Sequence, residues 1–246
     1  MIGGGKQKEK IMLKKPDLLE MLKSGLHFGH RTSKWHPKME PYIFTERNGI
    51  HIIDLEKTAQ LLEKALNFIK DTVSRGGVVL FLGTKPQIKE MIKKYALEVE
   101  MPYVSERWLG GTITNFSVIR KAIKRYTDLK KQKEKGEWEK FVKKEQVKLN
   151  KELERLDKKF GGIETLKKIP DIIFILDAKG EKTAIKEAQV KKVPIVALCD
   201  TNVNPQGIDY VIPGNDDSIK GVKMILEMAV EAIKEGKEQQ KDKNKN

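Results

Sequence analysis

The stretch that decides the fold runs from DIIFILD (171–177) through an amphipathic segment (179–191) to PIVALCD (194–200). Both apolar runs are short and continuous, which is typical of strands buried on both faces of a parallel sheet. VVLFLG (78–83) is a strand of the same kind, and DYVIPGN (209–215) holds a shorter one. Apolar strands that alternate with helices predict an α/β fold with a doubly wound, mostly parallel sheet, a flavodoxin-like three-layer sandwich.

The alternation of strands and helices stops between Asn115 and Phe160. Two narrow apolar seams with helical spacing lie there on either side of Gly136, flanked by Lys and Glu. This pattern is typical of an antiparallel coiled-coil hairpin whose helices are too polar for the main core. The sequence therefore predicts a flexible basic leader over 1–15, an α/β core domain over 16–111 and 161–235, a coiled-coil helical hairpin insertion over 112–160, and a disordered tail over 236–246.

The region before the first buried strand is less regular. Asp17 and Gly25 are helix start and stop signals, and they predict a short helix over 17–24. The next segment, 25–44, is rich in His, Gly and cations, and we interpret it as a loop. NGIHIID (48–54) then predicts a strand that is entered through an Asn-Gly turn.

The chain carries a large surplus of positive charge, with 49 Lys and Arg against 35 Asp and Glu in 246 residues. Between Arg120 and Lys159 there are 16 Lys and Arg against 8 Asp and Glu, a surplus of eight charges in one-sixth of the chain. A helix that lies on a membrane surface needs a broad apolar face with Trp and Phe, and this segment is too polar for one. The charge therefore favours a polyanionic partner such as nucleic acid.

Cysteine usage and hydropathy narrow the class of protein further. A single cysteine, Cys199, excludes an internal disulfide framework and any multi-cysteine zinc or iron–sulfur site. No apolar run approaches the roughly 18 residues of a membrane span, and the basic N-terminus lacks the apolar region of a secretory signal. We therefore expect a cytoplasmic protein with no membrane partner.

An enzyme with this fold would place its site at the carboxyl ends of the strands. Gly83-Thr84-Lys85 follows one strand but does not match a complete phosphate-loop motif. Asp177 and Asp200 end two others, without a base, nucleophile elbow or metal triad spelled nearby. We expect no enzymatic activity, and an α/β enzyme or nucleotide-binding protein is kept as the alternative.

Three histidines, His27, His30 and His36, lie within ten residues but do not form the HExxH pattern of a zinc enzyme. Histidine packs or hydrogen-bonds more often than it ligates, so we expect no cofactor. The alternative is a single divalent ion held by His30 together with Asp200 or Asp216.

The segment HRTSKWHPK (30–38) places cations beside planar rings and hydroxyls. Arg and Lys bind phosphates, and Trp35 is suited to stack on an unpaired base. The equally weighted alternative is a solvated loop with Trp35 tucked into the core. Arg107 in RWLGG (107–111) leaves the same two interpretations open, since Gly110-Gly111 most simply supplies a bend.

Taken together, seven segments resemble the bacterial small-subunit ribosomal protein S2 family, the universal second small-subunit protein family. They run in order over nearly the whole chain from about residue 17. They are GLHFGHRTSKWHPKMEPYIFTERNGIHIIDLEKT (25–58), FLGTK (81–85), RWLGGTITN (107–115), KKFGGI (158–163), IPDIIFILD (169–177), AIKEA (184–188) and VPIVALCDTNVNPQGIDYVIPGNDDSI (193–219).

The resemblance implies an α/β domain that bears a coiled-coil hairpin and has a structural role in the small ribosomal subunit. It implies contact with small-subunit ribosomal RNA and with neighbouring ribosomal proteins, including ribosomal protein S1. It implies no enzymatic activity and no small-molecule substrate. The candidate RNA-binding residues are Arg31, Lys34, Trp35, Lys38, Arg47, Arg107, Arg120, Lys121, Lys124 and Arg125.

Overall fold

The computed structural model of the protein describes residues 16–243. Its helices are α1 (Leu18–Lys23), α2 (Leu55–Ser74), α3 (Lys89–Glu98), α4 (Phe116–Glu134), α5 (Lys143–Phe160), α6 (Lys182–Lys191) and α7 (Ile219–Lys243). Its strands are β1 (Phe28–Arg31), β2 (Ile43–Arg47), β3 (Ile50–Ile53), β4 (Val79–Leu82), β5 (Tyr103–Val104), β6 (Ile172–Ile175), β7 (Ile195–Cys199) and β8 (Tyr210–Pro213). The predicted leader over 1–15 lies outside the described residues. No helix between residues 16 and 243 is long and apolar enough to cross a membrane.

The main sheet has five strands in the order β5-β4-β6-β7-β8, and every neighbouring pair is parallel. Every residue of β4, β6 and β7 is buried, as continuous apolar strands in a parallel sheet should be. The predicted α/β class with a parallel sheet is confirmed.

Two hydrophobic cores lie on opposite faces of this sheet. Alternate strand residues point to each face, so Phe81 and Phe174 belong to one core while Leu80 and Ile173 belong to the other. The first core is completed by α2, α3 and α7, and the second by α6 together with parts of α4 and α5. Helices therefore cover both faces of the sheet.

A second, antiparallel sheet has the order β1-β3-β2. The Asn48-Gly49 turn between β2 and β3 is as predicted, with φ values of 52° and 71°. The prediction of a loop over 25–44 is wrong, because β1 and the start of β2 lie within it. Burial does not alternate from residue to residue along FGHR of β1 or IFTER of β2, so neither strand shows the pattern that identifies a half-buried strand.

Helices α4 and α5 contact each other, and Gly136 with a φ of 70° lies between them. Arg125 pairs with Glu152, while Lys133, further along α4, bonds to Asn150, earlier on α5. The first half of α4 and the end of α5, which together form the root of this pair of helices, contribute buried residues to the second core. The expectation that these helices are too polar for the core is therefore wrong at the root. These residues are Ile119, Ile123, Tyr126, Leu156 and Phe160.

The last helix extends further than the sequence predicts. A disordered tail is predicted over 236–246, but α7 runs to Lys243, and residues 244–246 lie outside the described residues. Gly236 packs closely against α2, where an added Cβ would lie 2.6 Å from the carbonyl oxygen of Lys70. Lys237 donates to the carbonyl of Val99 at 2.6 Å. These contacts anchor a segment whose charged composition alone suggested a solvated tail.

Candidate nucleic-acid interface

Strands β4 and β6 end at the point where the strand order reverses, which is where doubly wound folds usually hold a ligand. Here the side chain of Lys85 occupies that position. Its Nζ lies 2.7 Å from Asp216 Oδ1, 2.8 Å from Asp217 Oδ1 and 4.0 Å from Asp177 Oδ2. The chain's own cation therefore lies among the carboxylates at this edge and pairs most closely with Asp216 and Asp217.

Polar groups next to Lys85 also form hydrogen bonds with one another. Thr84 donates its hydroxyl to Glu181 at 2.7 Å, and the Gly180 amide donates to Asp177 at 3.0 Å. Burial acts to lower the pKa of Lys85, but its hydrogen bonds to Asp216 and Asp217 outweigh burial and raise that pKa. Lys85 therefore remains charged, as a fixed internal counter-ion.

The histidine candidate for a metal site is only partly assembled. His30 Nδ1 lies 3.1 Å from Asp200 Oδ1, and this hydrogen bond raises the pKa of His30 despite partial burial. Asp216 faces Lys85 instead. Across residues 16–243 no group of three or more His, Cys, Asp or Glu side chains is arranged to hold a metal ion. The divalent ion at His30, Asp200 and Asp216 stays a prediction.

The small antiparallel sheet brings Arg31 and Arg47 into one row. Both residues pair with Ile50, one from each side, so their side chains leave the same face of the sheet. Both are exposed, and no ion pair joins either to a residue of the described chain. This face therefore presents two guanidinium groups that are unpaired within residues 16–243.

The other candidates of this region lie in the connection between β1 and β2. Lys34 ends a short 3-10 turn, and its exposed amine has no partner among residues 16–243. Trp35 is half-buried, and its ring lies in a tilted contact with His51 at a centroid distance of 4.9 Å and an interplanar angle of 44°. Lys38 lines a cavity of about 430 Å³ beside Tyr42 and Tyr210.

Helix α4 carries a group of free cations in its first half. Lys124 lies four residues after Arg120 and three residues after Lys121, so it neighbours both of them on the helix surface. All three are exposed, and within the described chain none makes a hydrogen bond or an ion pair through its side chain. They line a groove of about 690 Å³ with Phe116 and Lys167.

Two other predicted residues at this root differ in their pairing. Arg125 donates to Glu152 at 2.7 Å, so part of its charge is neutralised within the pair of helices. Arg107 lies in the segment between β5 and α4, is exposed, and has no carboxylate partner in the described chain.

Lys167 lies in the same groove but was not among the sequence candidates. It is exposed and lies more than forty residues after α4 begins, in the segment between α5 and β6. Only the short basic run Lys167-Lys168 marks it in the sequence. The fold brings it to α4, which sequence spacing does not reveal.

The fold and these surfaces define a basic α/β protein whose crevice at the sheet edge holds its own lysine, and whose helix α4 presents cations that have no partner among residues 16–243. The chain belongs to the ribosomal protein S2 family, since residues 21–236 match the family model described as Ribosomal protein S2. Membership confirms the resemblance and implies a small-subunit ribosomal protein that acts in translation as part of a ribonucleoprotein.

Proposed function

We propose that this protein is a structural constituent of the small ribosomal subunit that binds ribosomal RNA through its unpaired cations and also contacts neighbouring ribosomal proteins, including S1. The observation that carries the proposal is the group of Arg120, Lys121 and Lys124 on α4, which are exposed and have no carboxylate partner among residues 16–243. Arg31, Lys34 and Arg47 supply a second cationic surface.

The chemistry of these surfaces suits the RNA backbone better than base edges. Lys and Arg neutralise phosphates and displace counterions, which makes binding fall as salt rises. Duplex RNA is recognised mainly through its backbone and shape, since its deep major groove is closed to side chains. Trp35 is the one proposed aromatic contact, and its half-buried ring also contacts His51 at a tilt of 44°.

We also propose two finer features of the fold, a flavodoxin-like winding of the main sheet and an antiparallel coiled coil. With β4 taken as the first strand of the main sheet, the order becomes 2-1-3-4-5, which supports a flavodoxin-like winding. The contacts of Arg125 with Glu152 and of Lys133 with Asn150 support an antiparallel coiled coil formed by α4 and α5.

We propose no enzymatic activity and no cofactor for the protein, and a location in the cytoplasmic small subunit. The position of Lys85 supports this, because its ammonium group lies where a doubly wound enzyme would bind its ligand. The alternative, a nucleotide-binding protein, predicts thermal stabilisation by nucleotides, which is about 2.7 kcal/mol at a hundredfold excess over the dissociation constant. No shift across a nucleotide panel would leave that alternative without support.

Sedimentation of a native cell lysate on sucrose gradients at low and high salt tests the main proposal. We expect the protein to migrate with the small-subunit peak and to leave it as salt rises, because phosphate contacts weaken with ionic strength. A protein that stays at the top of the gradient at both salt concentrations would contradict the proposal.

A further inference from the structure

Glu187 is a buried carboxylate on α6 that accepts five hydrogen bonds from one segment of chain. Its Oε1 accepts from Trp108 Nε1 at 3.1 Å and from the Gly111 amide at 2.7 Å. Its Oε2 accepts from the amides of Ile113 and Thr114 and from the Thr114 hydroxyl, each at 3.0 Å. Both oxygens are therefore fully used.

The segment held by Glu187 is the connection from β5 to α4. Gly111 has a φ of 90°, a left-handed conformation that glycine adopts without strain. Its carbonyl accepts from the Asn115 amide at 2.9 Å, immediately before α4 begins. Fixing this turn therefore fixes the start of the helix that carries Arg120.

Three backbone amides converging on one point form an anion site, and here the chain fills it with its own carboxylate. Burial acts to raise the pKa of Glu187, but the amides of Thr114, Ile113 and Gly111 outweigh burial and hold that pKa below its usual range. Glu187 is consequently ionised at neutral pH. An RNA phosphate has no access to these amides, so RNA contact at this root falls to the cations.

We infer that Glu187 is a positioning residue: it couples α6 to the 108–114 segment and so holds Arg107 and the cationic face of α4 in one fixed arrangement for a polyanionic partner. This inference rests on the proposed function. Glu187 itself touches no RNA, since its oxygens are already occupied by Trp108, Gly111, Ile113 and Thr114.

The test compares Glu187→Gln with the wild-type protein. Glutamine keeps one acceptor oxygen and turns an NH₂ group towards the other donors. We expect the amides of Gly111, Ile113 and Thr114 to exchange hydrogen at least about tenfold faster, since each loses or weakens its acceptor. We expect affinity for purified small-subunit ribosomal RNA to fall by roughly five- to tenfold, although no cation has been removed.

Two further variants separate positioning from general destabilisation. Glu235→Gln changes another buried carboxylate, on α7, and should leave both the three amides and the RNA affinity unchanged. Trp108→Phe removes the indole donor to Oε1 together with part of a buried ring but leaves the three amide donors in place, so these amides should exchange more slowly than in Glu187→Gln. It also provides a test that survives if the Glu187 variant does not fold.

Faster amide exchange with unchanged RNA affinity would overturn the inference, and so would amides that stay protected. A fall in affinity of the same size in Glu235→Gln would overturn it as well. Failure of the proposed function is distinguishable, because the wild-type protein itself would then show no salt-dependent binding to the RNA. That result would overturn both the proposed RNA binding and the role of Glu187 in it. The exchange data would still show whether Glu187 holds the 108–114 segment.

Discussion

Lys85 and the cations of α4 use the same chemical group in opposite ways. Lys85 lies at the carboxyl edge of the main sheet with three carboxylates around it, and only 22% of its side chain is exposed. Lys121 and Lys124 are exposed and have no partner within the described chain. Net charge counts these lysines equally, but pairing separates the charge that holds the fold from the charge that is available to a partner.

The largest effect on stability is expected at Lys85. In Lys85→Ala the buried carboxylate of Asp216 loses its counter-charge, so we expect the free energy of unfolding to fall by about 3–5 kcal/mol. Urea denaturation measures this change. The control, Lys89→Ala, breaks an exposed pair with Glu106 and should cost no more than about 1 kcal/mol. Similar losses in both variants would show that the Lys85 cluster is not a buried counter-ion site.

Removing the unpaired cations of α4 should weaken RNA binding and leave the stability of the fold nearly unchanged. In the triple variant Arg120→Ala, Lys121→Ala, Lys124→Ala, we expect unfolding free energy to change by no more than about 0.5 kcal/mol. The plot of log affinity for small-subunit RNA against log salt has a negative slope. Its magnitude should decrease by roughly two to three, because each lost phosphate contact contributes about 0.7–0.9.

A matched control for that variant removes three cations that are paired. Lys223, Lys234 and Lys237 on α7 face Glu227, Glu98 and Glu100. Their replacement by alanine changes the net charge by the same amount as the α4 variant. We expect the salt slope to stay near the wild-type value, and an equal fall would mean that total charge, not its pairing, governs binding.

Unpaired cations on and beside the small antiparallel sheet should make a smaller contribution to the salt dependence of RNA binding. Arg31→Ala with Lys34→Ala removes two cations that are unpaired among residues 16–243, so we expect the steepness of the salt dependence to decrease by at most roughly two. The same RNA titration measures it. An unchanged slope in a folded variant would remove this surface from the interface.

Acid pH should release the turn that Glu187 holds. Its folded pKa lies below the ordinary value of 4.5, because amide hydrogen bonds outweigh burial. The ionised group therefore contributes stability that is complete above pH 4.5 and is lost as pH falls through the folded pKa. We expect the difference in unfolding free energy between wild type and Glu187→Gln to shrink below pH 4.5. A difference that is constant from pH 7 to pH 3 would contradict this assignment.

Features encoded locally could be predicted from the sequence. Continuous apolar runs identified the buried strands, and Asn48-Gly49 identified the hairpin turn. Features that depend on distant partners could not. Lys85 gains its role from Asp216, which is 131 residues away, and Lys167 joins the α4 groove only through the fold.

Two further differences arise from the same cause. Strands β1 and β2 are held by pairing with β3 rather than by an alternating pattern of their own. The end of α7 is ordered by contacts with α2 and with Val99, which its charged composition does not reveal. Among the candidate cations, the sequence could not separate Arg125, which pairs with Glu152, from its unpaired neighbours.

The most direct test of the account uses two adjacent residues of α4. Lys124 is unpaired in the described chain, while Arg125 is bound to Glu152 at 2.7 Å. The salt dependence of binding to small-subunit RNA should be measured for Lys124→Ala and for Arg125→Ala. We expect the slope to fall by about 0.7–0.9 in the first variant and by less than half of that in the second. Equal falls, or a larger fall for Arg125→Ala, would contradict the claim that pairing decides which charges bind RNA.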